Sequence, residues 1–397
     1  MAPYNTRVVK IGGFDHVETV MLGGGYPVVI QTMWKDRLSF SDIEGKAGAS
    51  LVARIGRLKT MGCGLLRFAV PDLEAAEVLG RLAGMVSMPL AADIHFDYKI
   101  ALRCMDFPIA KIRINPGNIG GREKVEALLS RASEKGIPIR IGVNAGSLPL
   151  DLRKKIEAGM DRALALVEAA DRELAIFREF GFWNVLVSMK ASSIADTIKA
   201  NRLLAEKNSP GDAASGVNPA DGAGRGNGGP PLHIGVTEAG PLIAGVVRNT
   251  AALLRLLEDG IGDTLRVSLS DTMENEVIAG REILAAAAEN AAAGKAPGAD
   301  RLRRRGVTLV SCPRCGRNGF DTHGFTGRWL DKLYSLDKDV TVAIMGCVVN
   351  GPGEAKHADL GVTGAGDKVL IFRRGKVIRT INAEEADRAF EEELYKL

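Results

Sequence analysis

The sequence predicts a (β/α)8 barrel of the TIM type followed by a smaller α+β domain, and three features carry that expectation. Between Tyr26 and about Asn290, short β-rich apolar runs alternate with longer stretches of helical periodicity, eight times over. The rhythm stops at AAAGKAPGADRLRRR, residues 291–305, where charge gathers and periodicity is lost, as at a domain boundary. Beyond it come further strand runs and a closing amphipathic helix. Eight parallel strands with crossover helices in so short a span fit a closed barrel better than an open doubly wound sheet. The expected division is 1–295 for the barrel and 296–397 for the second domain.

In chain order the strands are expected at Tyr26–Gln31, Leu65–Val70, Leu90–Ile94, Ala110–Ile114, Pro138–Val143, Asn184–Met189, Leu232–Val236 and Thr264–Leu269. Helices follow, among them Ile43–Thr60, Leu73–Met85, Glu123–Lys135 and Leu242–Glu258. Gly23 to Gly25 form a turn into the first strand. Asn208–Pro231 holds seven glycines and four prolines and reads as a flexible surface insertion between the sixth helix and the seventh strand, on the side away from catalysis. In the second domain, strands are expected at Val307–Val310 and Val340–Met345, a hairpin at Val369–Ile381, and a last helix from Ala383.

Composition narrows the class. Apolar residues make up 46% and charged residues 25%, ordinary globular usage, and no apolar run is long enough to span a bilayer. The first ten residues lack a secretory pattern, so the cytoplasm is the expected location. A formal net charge of +4 on 397 residues is too small to argue for nucleic acid. Five cysteines, an odd number with three gathered near the C-terminus, suggest a metal or redox site rather than a disulfide framework.

Catalytic groups of such a barrel stand at the C-terminal ends of its strands. The second strand places Arg67 there, the third Asp93 and His95, the fourth Arg113 and Asn115, and the fifth Arg140 and Asn144. The sixth ends with Ser188 and Lys190, the seventh with Glu238, and the eighth with Arg266 and Ser268. A single arginine at a strand end is usually solvated or salt-bridged, but five cations at equivalent places, faced by Asp93 and Glu238 alone, call for a polyanionic ligand. The planar guanidinium suits phosphate oxygens, so a phosphate or diphosphate is expected, without a P-loop to suggest a nucleotide. Asp93 lies two residues before His95, where it can fix the tautomer or share in proton transfer, and Glu238 is a further acid or base.

SCPRCGR supplies Cys312 and Cys315, and MGCVVNGPGE supplies Cys347 and Glu354. A CxxC turn aims two thiolates at one centre, and a third needs only a neighbouring strand end. Zinc ribbons bring a second CxxC pair, absent here, so a 4Fe-4S cluster held by three cysteines, with Glu354 able to reach back across the NGPG turn, is favoured over structural zinc or a redox disulfide. Cys63 and Cys104 are expected to be buried thiols in helical stretches.

These motifs together resemble the 4-hydroxy-3-methylbut-2-enyl diphosphate synthases of the non-mevalonate isoprenoid pathway. The resemblance runs nearly end to end, through ADIHFDYKIAL at 92–102, KIRINPGNIG at 111–120, IPIRIGVNAGSL at 137–148, VSMKAS at 187–192, GVTEAG at 235–240, GIGDTLRVSL at 260–269, SCPRCGR and GCVVNGPGEA. It implies a 4Fe-4S cluster on Cys312, Cys315, Cys347 and Glu354, and 2-C-methyl-D-erythritol 2,4-cyclodiphosphate as substrate. It further implies diphosphate contacts from Arg67, Arg113, Arg140, Asn144, Lys190, Arg266 and Ser268, with Asp93, His95 and Glu238 beside the reacting carbons. A ferredoxin or flavodoxin electron donor is the natural candidate. The resemblance also implies a homodimer in which one chain's cluster domain closes over the other's barrel. After Met33 this chain carries Trp34-Lys35-Asp36-Arg37 where the family tends to have small polar residues. Two rivals make different expectations: a condensing barrel similar to dihydropteroate synthases with a structural zinc domain, active without reductant, and a zinc module binding nucleic acid through Arg301–Arg305 and Arg373–Arg374, which lacks the dense basic and aromatic surface such modules use.

Overall fold

The computed structural model describes residues 4–115, 119–208, 228–294, 299–302, 306–313 and 315–397, and the chain divides into two compact units at 304/305. The bulk of the 208–231 insertion, residues 209–227, lies outside the described residues.

In the first unit a short antiparallel hairpin, β1 (Val9–Ile11) and β2 (Val20–Leu22), precedes eight parallel strands. These are β3 (Val29–Met33), β4 (Cys63–Ala69), β5 (Leu90–Asp93), β6 (Lys111–Ile114), β7 (Ile139–Asn144), β8 (Val185–Lys190), β9 (His233–Ile234) and β10 (Thr264–Leu265). Hydrogen bonding runs β8-β7-β6-β5-β4-β3-β10-β9, and a parallel bridge from Val187 to Leu232 joins the two ends, so the sheet closes as a barrel. The crossovers are α1 (Gly45–Thr60), α2 (Leu73–Ala83), α3 (Tyr98–Cys104), α4 (Arg122–Lys135), α5 (Leu150–Glu157), α6 (Arg162–Glu179), α7 (Ile194–Lys207), α8 (Leu242–Glu258) and α9 (Met273–Ala293).

The helices start where the sequence supplies caps. Asp72, Asp97, Asp161, Ser193 and Thr272 each accept a backbone N–H of the first turn of α2, α3, α6, α7 and α9, satisfying a donor that has no intrahelical partner. The first strand begins at Val29 rather than Tyr26; Gly23, Gly24 and Gly25 all have positive φ and turn the chain beforehand. Cys63 opens β4 instead of lying in a helix, because Gly62, at φ 106, ends the preceding turn. Cys104 closes α3 and is buried, which pushes its thiol up to about 12.

The hairpin, which the sequence reading missed, plugs the barrel. Val9, Ile11, Val17 and Leu22 pack with Val29, Leu65, Ala91, Ala110 and Leu186, residues from the N-terminal halves of the strands or just before them. Thr6 bridges to Gly229 and the Tyr4 hydroxyl donates to Pro230 O, so the described end of the insertion lies on this same side of the barrel. The opposite, C-terminal end is left to polar side chains. Among the described residues, no helix is long and apolar enough to cross a membrane.

The second unit is a five-stranded mixed sheet in the order β11 (Val307–Ser311), β12 (Val340–Met345), β13 (Leu360–Ala365), β14 (Lys368–Arg373) and β15 (Lys376–Asn382). The first three strands are parallel and the last three antiparallel. Helices α10 (Thr322–Tyr334) and α11 (Ala386–Tyr395) bury Phe325, Trp329, Leu333, Phe390 and Leu394 against Val342, Ile344, Val362 and Ile371. Residues Ala355 and Ala358 pack with Ala343, Met345 and Phe372, which occupy the alternate positions of β12 and β14 and so the other face. Beyond the elements expected from the sequence, this unit also contains α10, β13 and a π-helical turn at Val349–Glu354.

Candidate active site

Strand alternation puts every second residue of the barrel inward, and toward the C-terminal strand ends those positions carry Arg67, Asp93, Arg113, Arg140 and Lys190. The Asp93 carboxylate accepts from Arg113 Nη1 at 2.9 Å and lies 3.4 Å from Arg67 Nε. Burial alone would raise it, but Arg67, Arg113, Arg140 and His95 outweigh burial and hold it at about 2, so it is ionised. His95 stands just past β5 with Nε2 2.8 Å from Arg113 Nη1 and 3.6 Å from Asp93 Oδ1. Arginine can only donate, and the shorter contact decides: Nε2 accepts and the proton sits on Nδ1. Burial first, then Arg113 and Arg67, lower the His95 pKa despite Asp93, in keeping with a neutral ring.

Arg140 is 2% exposed, and its Nε and Nη2 have no hydrogen-bond partner among the described residues. Burial, then Arg67 and Arg113, push its pKa well below the usual arginine value. Burial and Asp93, Arg266 and Arg113 act on Arg67, with a net lowering to about 10. Lys190 is also buried; its Nζ lies 3.2 Å from His233 Nε2, and burial followed by Arg140, Arg67 and Arg266 lowers it strongly. Two glycines make room for these cations. A Cβ at Gly142 would stand 2.5 Å from Arg113 Nε, and one at Gly235 2.6 Å from Lys190 Nζ.

Thus Arg67, Asp93, His95, Arg113, Arg140, Lys190 and Arg266 interact as one group. Asn144 pairs in register with Lys190 at the strand ends, and Ser268 lies just beyond β10; both are half-buried. Ser188 is buried beside Gly142 in the same pairing. Glu238 is placed differently from the strand end expected of it: β9 ends at Ile234, and Glu238 is exposed in the following loop at φ 54, a left-handed conformation uncommon outside glycine.

Three participants went unread in the sequence. Lys111 is fully buried and donates to Gln31 Oε1 at 2.6 Å; burial, with Arg140 and Arg67, pushes its pKa far down. His233 lies behind Lys190 and is kept neutral by burial and then Lys190. Glu276 on α9, 1% exposed, accepts from Arg266, Lys35, Thr32 and the Leu269 N–H. Burial would raise it, yet Arg266, Lys35 and Thr32 keep its pKa below the ordinary value. A signal existed for two of them: Lys111 shares a strand face with Arg113, and Glu276 interrupts the apolar stripe Met273, Val277, Gly280. The unusual segment after Met33 is built in: Trp34 is buried and stacked on Phe68 at 5.6 Å, and Arg54 lies over its ring.

In the second unit, Cys312 follows β11 and Cys347 follows β12, neighbouring parallel strands in register. The Gly346 N–H donates to Cys312 Sγ at 3.1 Å. A side chain at Gly346 would collide with Asn318 Oδ1 at 2.2 Å and press on that sulfur at 3.3 Å. Backbone N–H groups of Asn350 and Val349, and Arg317, favour the Cys347 thiolate and lower its pKa against burial. Asn350 links that cysteine to the acid: Sγ of Cys347 lies 3.3 Å from its Oδ1, and its Nδ2 donates to Glu354 Oε2 at 2.6 Å. Cys315 is exposed in the turn whose carbonyl accepts from Asn318 N. Among the described residues, no three histidine, cysteine or acidic side chains converge closely enough for a single metal ion. Three cysteine sulfurs and one carboxylate are donors of the kind a four-iron cluster takes, each ligand binding a different iron.

The GcpE TIM-barrel domain family matches residues 12–281, and the GcpE protein C-terminal domain family matches residues 308–396. The chain belongs to the GcpE family. It is 47% identical to the 4-hydroxy-3-methylbut-2-en-1-yl diphosphate synthase (flavodoxin) of Treponema denticola, over 98% of each chain, and 48% identical to that of Treponema pallidum, over 99% of this chain and 92% of the other. The Geobacter sulfurreducens enzyme of the same name is 41% identical over 97% and 95%. A dihydropteroate synthase from Xanthomonas albilineans covers 68% of this GcpE-family chain and 96% of its own length, at 16% identity and a TM-score of 0.42, which says nothing about the reaction.

Proposed function

We propose that the chain performs reductive ring opening and dehydroxylation of 2-C-methyl-D-erythritol 2,4-cyclodiphosphate to 4-hydroxy-3-methylbut-2-enyl diphosphate. Two electrons and two protons enter, one carbon–oxygen bond to phosphate opens, and one hydroxyl leaves as water. Relatives at 47% and 48% identity carry the name of that synthase. The observation that carries the reading in this molecule is the Arg140 guanidinium, buried among other cations with two nitrogens unpartnered among the described residues. A buried charge in that state is costly until an anion pairs with it, and a diphosphate supplies enough oxygens to engage Arg67, Arg113, Arg140, Lys190 and Arg266 together.

The barrel residues then divide the work. The cations bind and orient the diphosphate, with Asn144 and Ser268 at the rim as hydrogen-bond donors. Asp93 holds Arg113 and Arg67 in place, and Arg113 holds His95 with its Nδ1–H free to donate. His95 and Glu238 are the groups we assign to proton delivery. Cys312, Cys315, Cys347 and Glu354 would hold a 4Fe-4S cluster, which when bound supplies single electrons and a Lewis-acidic iron corner. Flavodoxin, which the names of the relatives carry, is the proposed electron donor, with ferredoxin as substitute, and the proposed working species is a homodimer.

Anaerobic purification with iron and sulfide analysis, followed by turnover with and without reductant, tests this. About four irons per chain and strict dependence on reductant are expected. Turnover by iron-free protein, or without an electron source, would refute it.

A further inference from the structure

We propose that Glu276 is a positioning residue that presents Arg266 to the diphosphate by its Nη1 corner; this rests on the diphosphate reading of the barrel mouth. Arg266 meets Glu276 in a two-pronged pair, Nε to Oε2 and Nη2 to Oε1, each 3.1 Å. That edge of the guanidinium is therefore occupied, and Nη1 is the nitrogen left for a ligand. Nη1 points at the sulfur of Met33, 3.6 Å away, and Arg67 Nη2 approaches the same sulfur at 2.9 Å. Two guanidinium corners, from β4 and from the residue after β10, thus converge on one thioether. A thioether is a weak, uncharged acceptor on a flexible side chain, a poor match for two cations and one that a phosphate oxygen can replace.

Glu276 can hold this geometry because it is itself fixed. Thr32 Oγ1 donates to Oε2 at 2.5 Å, and Lys35 Nζ at 2.5 Å and Leu269 N at 3.0 Å donate to Oε1. The carboxylate thereby ties the end of β3, the segment after β10 and the first turn of α9 to one point. Thr272, which caps α9, sets the position of that turn. Lys35, one of the residues by which this chain departs from small polar neighbours, is drawn into the same arrangement.

Positioning through Arg266 and mere anchoring of α9 differ in one measurable way. If Glu276 works through Arg266, removing the arginine first leaves the carboxylate nothing to position. The experiment is a double-mutant cycle on the holoenzyme with Glu276→Gln, Arg266→Ala and both, reading KM and kcat with the cyclic diphosphate and the dissociation constant of inorganic pyrophosphate. Glu276→Gln is expected to raise KM and the pyrophosphate constant by about tenfold while kcat changes by less than about threefold, and the double variant to be no weaker than Arg266→Ala alone. Effects that multiply in the double variant would overturn the proposal. If Glu276→Gln does not fold, Thr32→Val, which removes one donor to Oε2, takes its place in the cycle under the same two outcomes. A wild-type enzyme inert toward the cyclic diphosphate would count against the functional reading instead, while the pyrophosphate cycle still decides the role of Glu276.

Discussion

Arg140 shows what the proposed anion site costs the chain that builds it. A guanidinium 2% exposed, short of partners and flanked by Arg67 and Arg113, destabilises the folded state whenever the ligand is absent. Arg140→Met should therefore raise the melting temperature, by about 1–2 °C per kcal/mol for a chain of this length, and abolish pyrophosphate binding. A variant that melts lower and still binds would contradict both halves of that account. His233 gives a second test. Its pKa is held far below 6.5 by burial and Lys190, so below about pH 6.5 the unfolded chain takes up a proton that the native chain refuses. Stability conferred by the neutral ring is complete above that pH and falls as pH drops. Urea titrations at about pH 7.5 and about pH 5.5 should show lower stability at the lower pH, and His233→Gln should remove part of that difference. An unchanged pH dependence in the variant would mean the ring is already charged in the native state.

Elements place these residues, and at this scale the short strands matter most. In β7 the inward position between Arg140 and Asn144 is Gly142, and its missing side chain is the space Arg113 fills. Gly142→Ala would meet the far end of a flexible side chain rather than backbone, so the expected outcome is a folded protein with a displaced Arg113. Circular dichroism should be native while KM rises about tenfold or more, the cost of a misplaced charged hydrogen bond; native KM would show that Arg113 does not need its present position. The eight barrel strands were legible because each is an apolar run followed by a long helical period. The β1–β2 hairpin was not, because three-residue strands carry too little alternation to be told from loop. Glu276 was passed over for a related reason. In a helix pattern one acidic residue on the apolar stripe looks like a defect, and only the approach of β3 and Arg266 turns it into a partner.

At the scale of the whole molecule the proposed anion-binding residues and the C-terminal cysteines fall in different units. Single changes should separate them too. Arg113→Ala should keep its iron and lose affinity for the cyclic diphosphate, whereas Cys347→Ser should lose iron and turnover yet still bind pyrophosphate. Iron content, pyrophosphate titration and turnover on the two proteins check this, and loss of both properties in both variants would count against it. What the sequence determined by itself was composition and order: eight βα repeats, cations recurring at strand ends, and CxxC with a later cysteine, all of which survive as one-dimensional patterns because helix and strand periods and metal-ligand spacings are local. Tertiary structure alone decided which charges meet. It paired Asp93 with Arg113, left Nε and Nη2 of Arg140 without a partner among the described residues, put Lys111 on Gln31, tied Arg266 to a glutamate from the next helix, and moved Glu238 into an exposed loop. Closing the barrel sets those distances, and Coulomb and hydrogen-bond energies depend on distance and burial, neither of which is written along the chain.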